Sequence, residues 1–294
     1  MKTIINFRNY DVTITCAVGA GHGTSGHIFE MIEYFYYLRF YHNVNCNIFI
    51  PFKFDLNDFY KCVADKYDFT DDEVKIYKDN TYQCDKPRII DIKTGLFVDG
   101  NMYVKNFAGI YKCDKKIFLR CNNNETLDKA DIVLQDTRMY DDLKNSTHYV
   151  KKILFDKFKK VKNEVQNTAM IYATTNCRRI TYEQLEMLSS KYNFEKYIVL
   201  SNETFDVPNK FVLKHVPCEN LMEKFNTFIY TPLNGSCNRV DCSPRFVAEC
   251  KYYHKDVIYE IPCFYRGLNV RKYDIENNFD SLFLRKNDDL INFL

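Results

Sequence analysis

Val12-Thr13-Ile14-Thr15-Cys16-Ala17-Val18-Gly19-Ala20-Gly21-His22-Gly23-Thr24-Ser25-Gly26-His27 is the stretch that decides how this chain is read. Four of the nine glycines fall in the eight residues from Gly19 to Gly26. The residues before them have strand character. Those after them, Ile28 to Phe40, repeat apolar side chains at helical spacing. Strand, glycine loop and helix open a nucleotide-binding α/β unit. Glycines let the backbone approach a diphosphate closely, and the start of the helix offers free N–H groups to negative charge. The loop contains G-x-G-x-x-G from Gly21 to Gly26, yet no acidic residue closes the next strand, which ends at Pro51 with Lys53 beyond it. His27 stands where a Walker loop has lysine. The loop therefore points to a phosphate or sugar, and away from NAD and ATP in their usual modes. A plain turn packing helix on strand accounts for the same glycines.

A chain of 294 residues holds one large or two ordinary domains. No apolar run reaches the ~20 residues that span a membrane, so no membrane partner is expected. Met1 to Arg8 carries a charge within its short apolar stretch and reads as a first strand, not a signal peptide. The 12 cysteines include no C-x-x-C pair. Cys16, Cys46, Cys177 and Cys250 lie in or beside apolar segments, and Cys237, Cys242 and Cys250 match no zinc spacing. The expectation is a reduced, cytosolic chain with no protein-held metal cluster. Abundant Asn, Lys, Ile, Tyr and Phe without Trp read as the codon usage of an AT-rich genome. A net charge of +2 excludes an electrostatically dominated nucleic-acid coat but allows an enzyme with one basic face.

The pattern predicts strands at 2–7, 11–18, 46–52, 88–92 and 131–135, and helices at 27–42 and 55–66. Residues 84–121 read as β-ribbon, with Asp99-Gly100 as a hairpin turn. The basic run Lys151 to Lys162 suits an amphipathic element with a solvated lysine face. A second α/β series starts near residue 165. It has strands at 170–173, 196–200, 211–213, 228–230 and 257–259, helices at 181–192, 221–225 and 243–253, and a C-terminal helix from Asp280. The expected architecture is α/β, with two Rossmann-like domains facing a central cleft. The first spans 1–164 on the acceptor side and the second 165–275 on the donor side, with 276–294 packing back on the first.

Three groups converge on that cleft. Asp136 ends a buried strand and suits a general base, or equally a turn or helix cap. Arg178 and Arg179 follow the first strand of the second domain and suit a diphosphate, or a solvated loop. The long polar segment Asn234 to Cys250 enters a helix that Asp241 or Ser243 can cap, with Pro244 in its first turn. Arg245 and Glu249, four apart, share one face of that helix. They read either as a stabilising ion pair or as ligands for a phosphate and ribose hydroxyls.

This layout resembles the GT-B glycosyltransferases, as does the loop Gly21-His22-Gly23-Thr24-Ser25-Gly26-His27. Within them, Leu134-Gln135-Asp136-Thr137-Arg138 resembles the catalytic-base segment of bacteriophage DNA hydroxymethylcytosine glycosyltransferases. Those enzymes also carry an Arg and a Glu on one late helical turn, three apart where Arg245 and Glu249 are four apart. The resemblance implies a UDP-sugar donor (glucose or a pentose such as arabinose) and double-stranded DNA bearing hydroxymethylated cytosine as acceptor. It implies a monomer acting in the cytosol of an infected bacterium. Asp136 would be the base, with His22 or His27 second, since imidazole titrates near neutrality. Gly19, Gly21, Gly23, Arg178, Arg179, Ser243, Arg245 and Glu249 would hold the donor, with Mg or Mn as a candidate companion of the diphosphate. Arg138, Lys151 and Lys152 would meet DNA phosphates. A GT-B transferase acting on a glycan, lipid or protein, and a nucleotide-binding interaction module without turnover, remain open alternatives.

Overall fold

The computed structural model describes residues 4–16, 26–51, 55–85, 87–98, 109–119, 130–135, 148–149, 156–173, 180–201, 203–215, 221–231, 245–260, 264–265, 268–269 and 289–294. The chain divides into two compact units, Met1–Phe158 with Asn278–Leu294, and Lys159–Asn277. It is α/β, and each unit is built on a parallel sheet.

In the first unit β1 (Ile4–Asn6) and β2 (Val12–Cys16) lead to α1 (Gly26–Tyr36), a π-helical turn (Tyr37–Tyr41) and β3 (Cys46–Ile50). Then come α2 (Leu56–Lys66), α3 (Asp71–Asp79), β4 (Thr81–Gln83), β5 (Ile89–Val98), β6 (Tyr111–Leu119), β7 (Ile132–Gln135) and β8 (His148–Tyr149). The sheet order is β4-β3-β2-β5-β6-β7-β8, with β1 also on β5. Asp55 caps α2, accepting from the amides of Asn57 at 2.8 Å and Asp58 at 3.3 Å. Thr70 and Glu73 close a reciprocal capping box on α3. Such caps contribute about 1 kcal/mol. They offset the small apolar share of α3, which buries only Tyr77. That poverty of apolar residues is why periodicity gave no sign of α3.

The β-ribbon expected over 84–121 is corrected. β5 runs unbroken through Lys93-Thr94-Gly95, and β6 pairs with it in parallel. A parallel pair needs a long crossover, and twelve residues separate Val98 from Tyr111. Asp99 and Gly100, the expected turn, lie outside the described residues.

β5 is the spine of this sheet. β1 pairs with its first half and β2 with its second. Tyr111 is in register with Ile90, yet its hydroxyl lies 3.1 Å from Thr15 Oγ1, and Thr15 is in register with Phe97. Seven residues of straight strand span about 23 Å. The sheet therefore bends sharply on itself between these registers. Its two halves close on one core of Phe7, Phe49, Ile92, Phe97, Tyr111 and Phe118. Gly95 lies between them: a Cβ there would sit 2.4 Å from the Phe97 ring and 3.0 Å from Ile92 Cδ1. Outside the bend, Arg8 donates to Asp91 at 2.6 Å and to both oxygens of Asp114 at 2.8 and 2.9 Å. It thereby ties the β1–β2 turn to β5 and β6. These hydrogen bonds hold the Asp114 carboxyl below its ordinary pKa.

The second unit runs β9 (Thr168–Tyr172), α4 (Tyr182–Lys191), β10 (Lys196–Ser201), β11 (Phe211–His215), a 3-10 turn (Leu221–Glu223), β12 (Thr227–Tyr230), α5 (Arg245–Tyr252) and β13 (Asp256–Tyr259). Its sheet order is β11-β10-β9-β12-β13. A two-residue antiparallel pair, β14 (Phe264–Tyr265) with β15 (Leu268–Asn269), follows. Thr181 and Gln184 form a capping box on α4, whose Leu185 and Leu188 pack with Ala169, Ile171 and Val199. Near the C-terminus, a short 3-10 helix at Asp289–Phe293 stands in the expected helical tail, and Lys115 Nζ donates to the Leu294 carbonyl at 3.1 Å. Within the basic run, residues 156–162 are not helical. Phe158 forms an antiparallel bridge with Tyr67.

Cys46, Cys62, Cys84 and Cys113 are free thiols, two of them buried. Burial pushes the Cys46 thiol up to about 12. Among the described residues no helix is long and apolar enough to cross a membrane.

Gly95→Ala is expected to lower stability by about 1–3 kcal/mol through overpacking. Phe97 cannot yield freely, since it is buried between Tyr111 and Phe118. Urea unfolding of the variant, alone and combined with Phe97→Leu, checks this. The smaller leucine should restore part of the loss.

Candidate functional site

Both sheets are doubly wound. In the first, the crossover from β2 leads to β3 on one side and that from β5 to β6 on the other. In the second, β9 leads to β10 and β12 to β13 in opposite directions. Each reversal is a switch point, and ligands of such sheets bind beyond the carboxyl ends of the strands there. A crossover helix runs back against its strands, so α1, α4 and α5 all start on that edge.

α5 enters at the second switch point with Arg245 as its first residue. Arg245 Nε donates to Glu249 Oε1 at 2.7 Å, and the two side chains are 9% and 3% exposed. Helix stability does not explain this arrangement. The first turn holds no acidic residue. A cation at a helix start opposes the helix dipole, and the favourable i,i+4 order places the acid first. The outcome is a guanidinium held by a buried carboxylate where α5 begins. Phe246, beside Arg245, seats the helix start: its ring stacks on Tyr172 at 5.5 Å and meets Phe228 edge-on at 4.9 Å. Tyr172 ends β9 and Phe228 lies in β12, so the helix start is packed on the two strands that flank the switch.

α1 begins at the edge of the first switch point. His27 Nδ1 lies 3.3 Å from Glu30 Oε2, with side chains 27% and 6% exposed. One turn on, Glu33 is fully buried and accepts from the Tyr67 hydroxyl at 2.6 Å. The helix periodicity placed Ile28, Met31, Ile32 and Phe35 in the core but gave no role to Glu30 or Glu33. His27 and Glu30 are three apart on a predicted helix, which was a readable signal. The Glu33–Tyr67 bond joins residues 34 positions apart and has no local signature.

Of the residues expected to form the site, the structure describes Arg245 and Glu249 and brings them into direct contact, and it describes His27. Gly19, Gly21, His22 and Gly23, which follow β2, lie outside the described residues. So do Asp136 and Arg138 after β7, Lys151 and Lys152, Arg178 and Arg179 after β9, and Ser243 before α5. Gln135, the last residue of β7, is buried at the carboxyl edge of its sheet. Among the described residues no group of three or more His, Cys, Asp or Glu could hold a metal ion.

No protein-family model matches the chain, and no curated protein sequence matches it. Among solved structures it is similar to a lipopolysaccharide outer core galactosyltransferase, WaaB, in its apo form. The identity is 9%, the match covers 84% of this chain and 80% of that one, and the TM-score is 0.43. It is also similar to a UDP-glucosyltransferase from Polygonum tinctorium that glucosylates indoxyl, in complex with 3,4-dichloroaniline. There the identity is 6%, the coverage 78% and 76%, and the TM-score 0.35.

Removing one member of a buried ion pair leaves the other without its partner, which typically costs about 3–5 kcal/mol. Glu249→Ala is therefore expected to shift the urea unfolding midpoint strongly downward. The double variant Arg245→Met/Glu249→Leu, which replaces both charges with apolar volume, should stay near the wild-type midpoint. Equal loss in both would show that the cost is not that of an unpaired buried charge.

Proposed function

We propose that this protein is a glycosyltransferase that draws its sugar from a UDP-sugar. The observation that carries the reading is the buried Arg245–Glu249 pair in the first turns of α5, at the switch point of a doubly wound sheet. A guanidinium and the free N–H groups of a helix start together suit a diphosphate, and the carboxylate of Glu249 suits ribose hydroxyls. Arg178, Arg179 and Ser243 extend the same donor site, and Gly19, Gly21 and Gly23 let the chain after β2 pass close to the sugar phosphate. Positive charge for the departing diphosphate then comes from arginines and a helix start. A divalent ion would add to it through the diphosphate oxygens, not through a carboxylate cluster among the described residues.

The resemblance of Leu134-Gln135-Asp136-Thr137-Arg138 to a catalytic-base segment supports DNA with hydroxymethylated cytosine as acceptor. In the transfer, Asp136 takes the proton of the acceptor hydroxyl as its oxygen bonds to the sugar's anomeric carbon. The bond from that carbon to the diphosphate breaks, and the electron pair leaves with UDP. Arg138, Lys151 and Lys152 meet DNA phosphates, and a duplex acceptor presents its base flipped out or in the major groove. The hydrogen bond of His27 to buried Glu30 favours a second base, with Glu30 orienting the imidazole.

A thermal-shift panel with UDP, GDP, ADP and NAD tests the donor. At 100 times its dissociation constant a ligand adds about 2.7 kcal/mol, and a rise for UDP alone is expected. No response to UDP would overturn the donor site. Turnover with a UDP-sugar on hydroxymethylated duplex should fall with salt, as phosphate contacts release counterions. Asp136→Asn should lower it by about 100- to 10,000-fold with UDP affinity intact. Full activity in that variant, with loss in His27→Ala, would give the role to His27. Turnover on a glycan and none on DNA would refute the DNA acceptor.

A further inference from the structure

The chain passes from the first unit to the second between Phe158 and Lys159, inside a stretch with neither helix nor strand. Such a crossing is ordinarily a loose tether, because exposed backbone without a ladder gains little from order. Here both sides of the boundary are gripped.

On the first side, the Asp68 amide donates to the Lys157 carbonyl at 2.7 Å, and Phe158 is bridged to Tyr67. Phe158 is only 6% exposed, and its ring lies 5.5 Å from that of Tyr67, which itself stacks on Phe69. Lys157 pairs with Glu73 at 3.1 Å, and Asp156 accepts from the Tyr41 hydroxyl at 2.7 Å. Burial alone would raise the Glu73 carboxyl. The Thr70 amide, the Tyr36 hydroxyl and Lys157 outweigh it and hold the group below its ordinary pKa.

On the second side, the grip is the turn after α5. His254 takes a φ of 56°, the left-handed conformation that ends helices, and the Lys255 amide returns to the Cys250 carbonyl at 2.8 Å. That turn aims three groups at the crossing. The Tyr253 hydroxyl donates to the Lys159 carbonyl at 2.9 Å. Asn163 Nδ2 donates to the Tyr253 carbonyl at 3.2 Å, and Lys255 Nζ donates to Asn163 Oδ1 at 2.6 Å. Lys255 is 6% exposed, with its ammonium 5.5 Å from the Phe225 ring. A lysine so buried needs a firm partner, and Asn163 is one. The Lys162 amide adds a bond to Glu223 at 3.3 Å. From Lys159 to Asn167 no side chain is buried until the sheet begins, so these polar bonds are what fix the segment.

The two grips act on adjacent residues. We propose that this crossing is a clamped joint: its freedom to turn is confined to the Phe158–Lys159 link, with Lys255 as the positioning residue of the second clamp. The reading is independent of what either unit binds. It assigns a role to the aromatic stack and to the buried lysine, neither of which the proposed transfer uses.

Hydrogen exchange on the full chain tests it, with the Asp68 amide reporting the first clamp and the Lys162 amide the second. Lys255→Met keeps the apolar stem beside Phe225 and removes the ammonium. It should speed exchange around Lys162 about tenfold and leave Asp68 unchanged. Phe158→Ala should do the reverse. If Lys255→Met unfolds the second unit, Tyr253→Phe, which removes one hydroxyl, carries the same test. Acceleration of both reporters by one variant would mean that the segment opens as one body, and would overturn the joint. No acceleration of Lys162 in Lys255→Met or Tyr253→Phe would remove the second clamp and overturn it equally.

Discussion

Parallel pairing is the constraint from which the rest of this structure follows. A strand that must run parallel to its neighbour cannot return by a hairpin, so in the two parallel sheets, the β1–β2 turn apart, the chain crosses back before each new strand. The crossover helices then run against the strands. α1, α4 and α5 thus begin on the edge where β2, β9 and β12 end. Chain direction alone gathers helix starts, with their unpaired N–H groups, on one edge of each sheet. Arg245 adds a guanidinium to one of those starts, and His27 an imidazole to another. Neither residue is where helix stability would put it, and both lean on a buried glutamate further along the same helix.

The first sheet solves a second problem in its own way. A sheet of this kind needs both faces covered. α1 packs against β2, β3 and β5 on one face. On the other, the bend at Gly95 folds the first half of β5 and β6 over the second, and rings from both halves share one core. A glycine within a strand ordinarily weakens it. At this position the absent side chain leaves the space that the Phe97 ring fills. Two pairs of polar groups caught in that closure find one another, Thr15 with Tyr111 and Thr13 with Asn47 Oδ1, while the buried Asn47 Nδ2 has no hydrogen-bond partner.

α5 carries both the buried ion pair of the second unit and its attachment to the crossing. Its first residue, Arg245, is paired with Glu249, and the turn after its last holds the segment that arrives from the first unit. Eight residues separate these duties. The helix of two turns is packed by Phe246 at one end and closed by a left-handed residue at the other.

The sequence by itself determined the α/β class and the order of most elements, because strands buried on both faces and helices with one apolar stripe leave strong local patterns. It also placed Arg245 and Glu249 on one helix face, since 3.6 residues per turn fixes that neighbour relation without any tertiary contact. It did not reveal α3 and β4, where apolar residues are few, or the pairing of β5 with β6, because a turn-like Lys93-Thr94-Gly95 reads the same in a hairpin and in a bent strand. Only the tertiary structure decided that Glu30, Glu33 and Lys255 are buried, that Tyr67 satisfies Glu33, and that Phe158 and Lys159 are held by different units. Those facts depend on residues tens of positions apart meeting in space, and a charge or a ring carries no local mark of which distant partner will desolvate it.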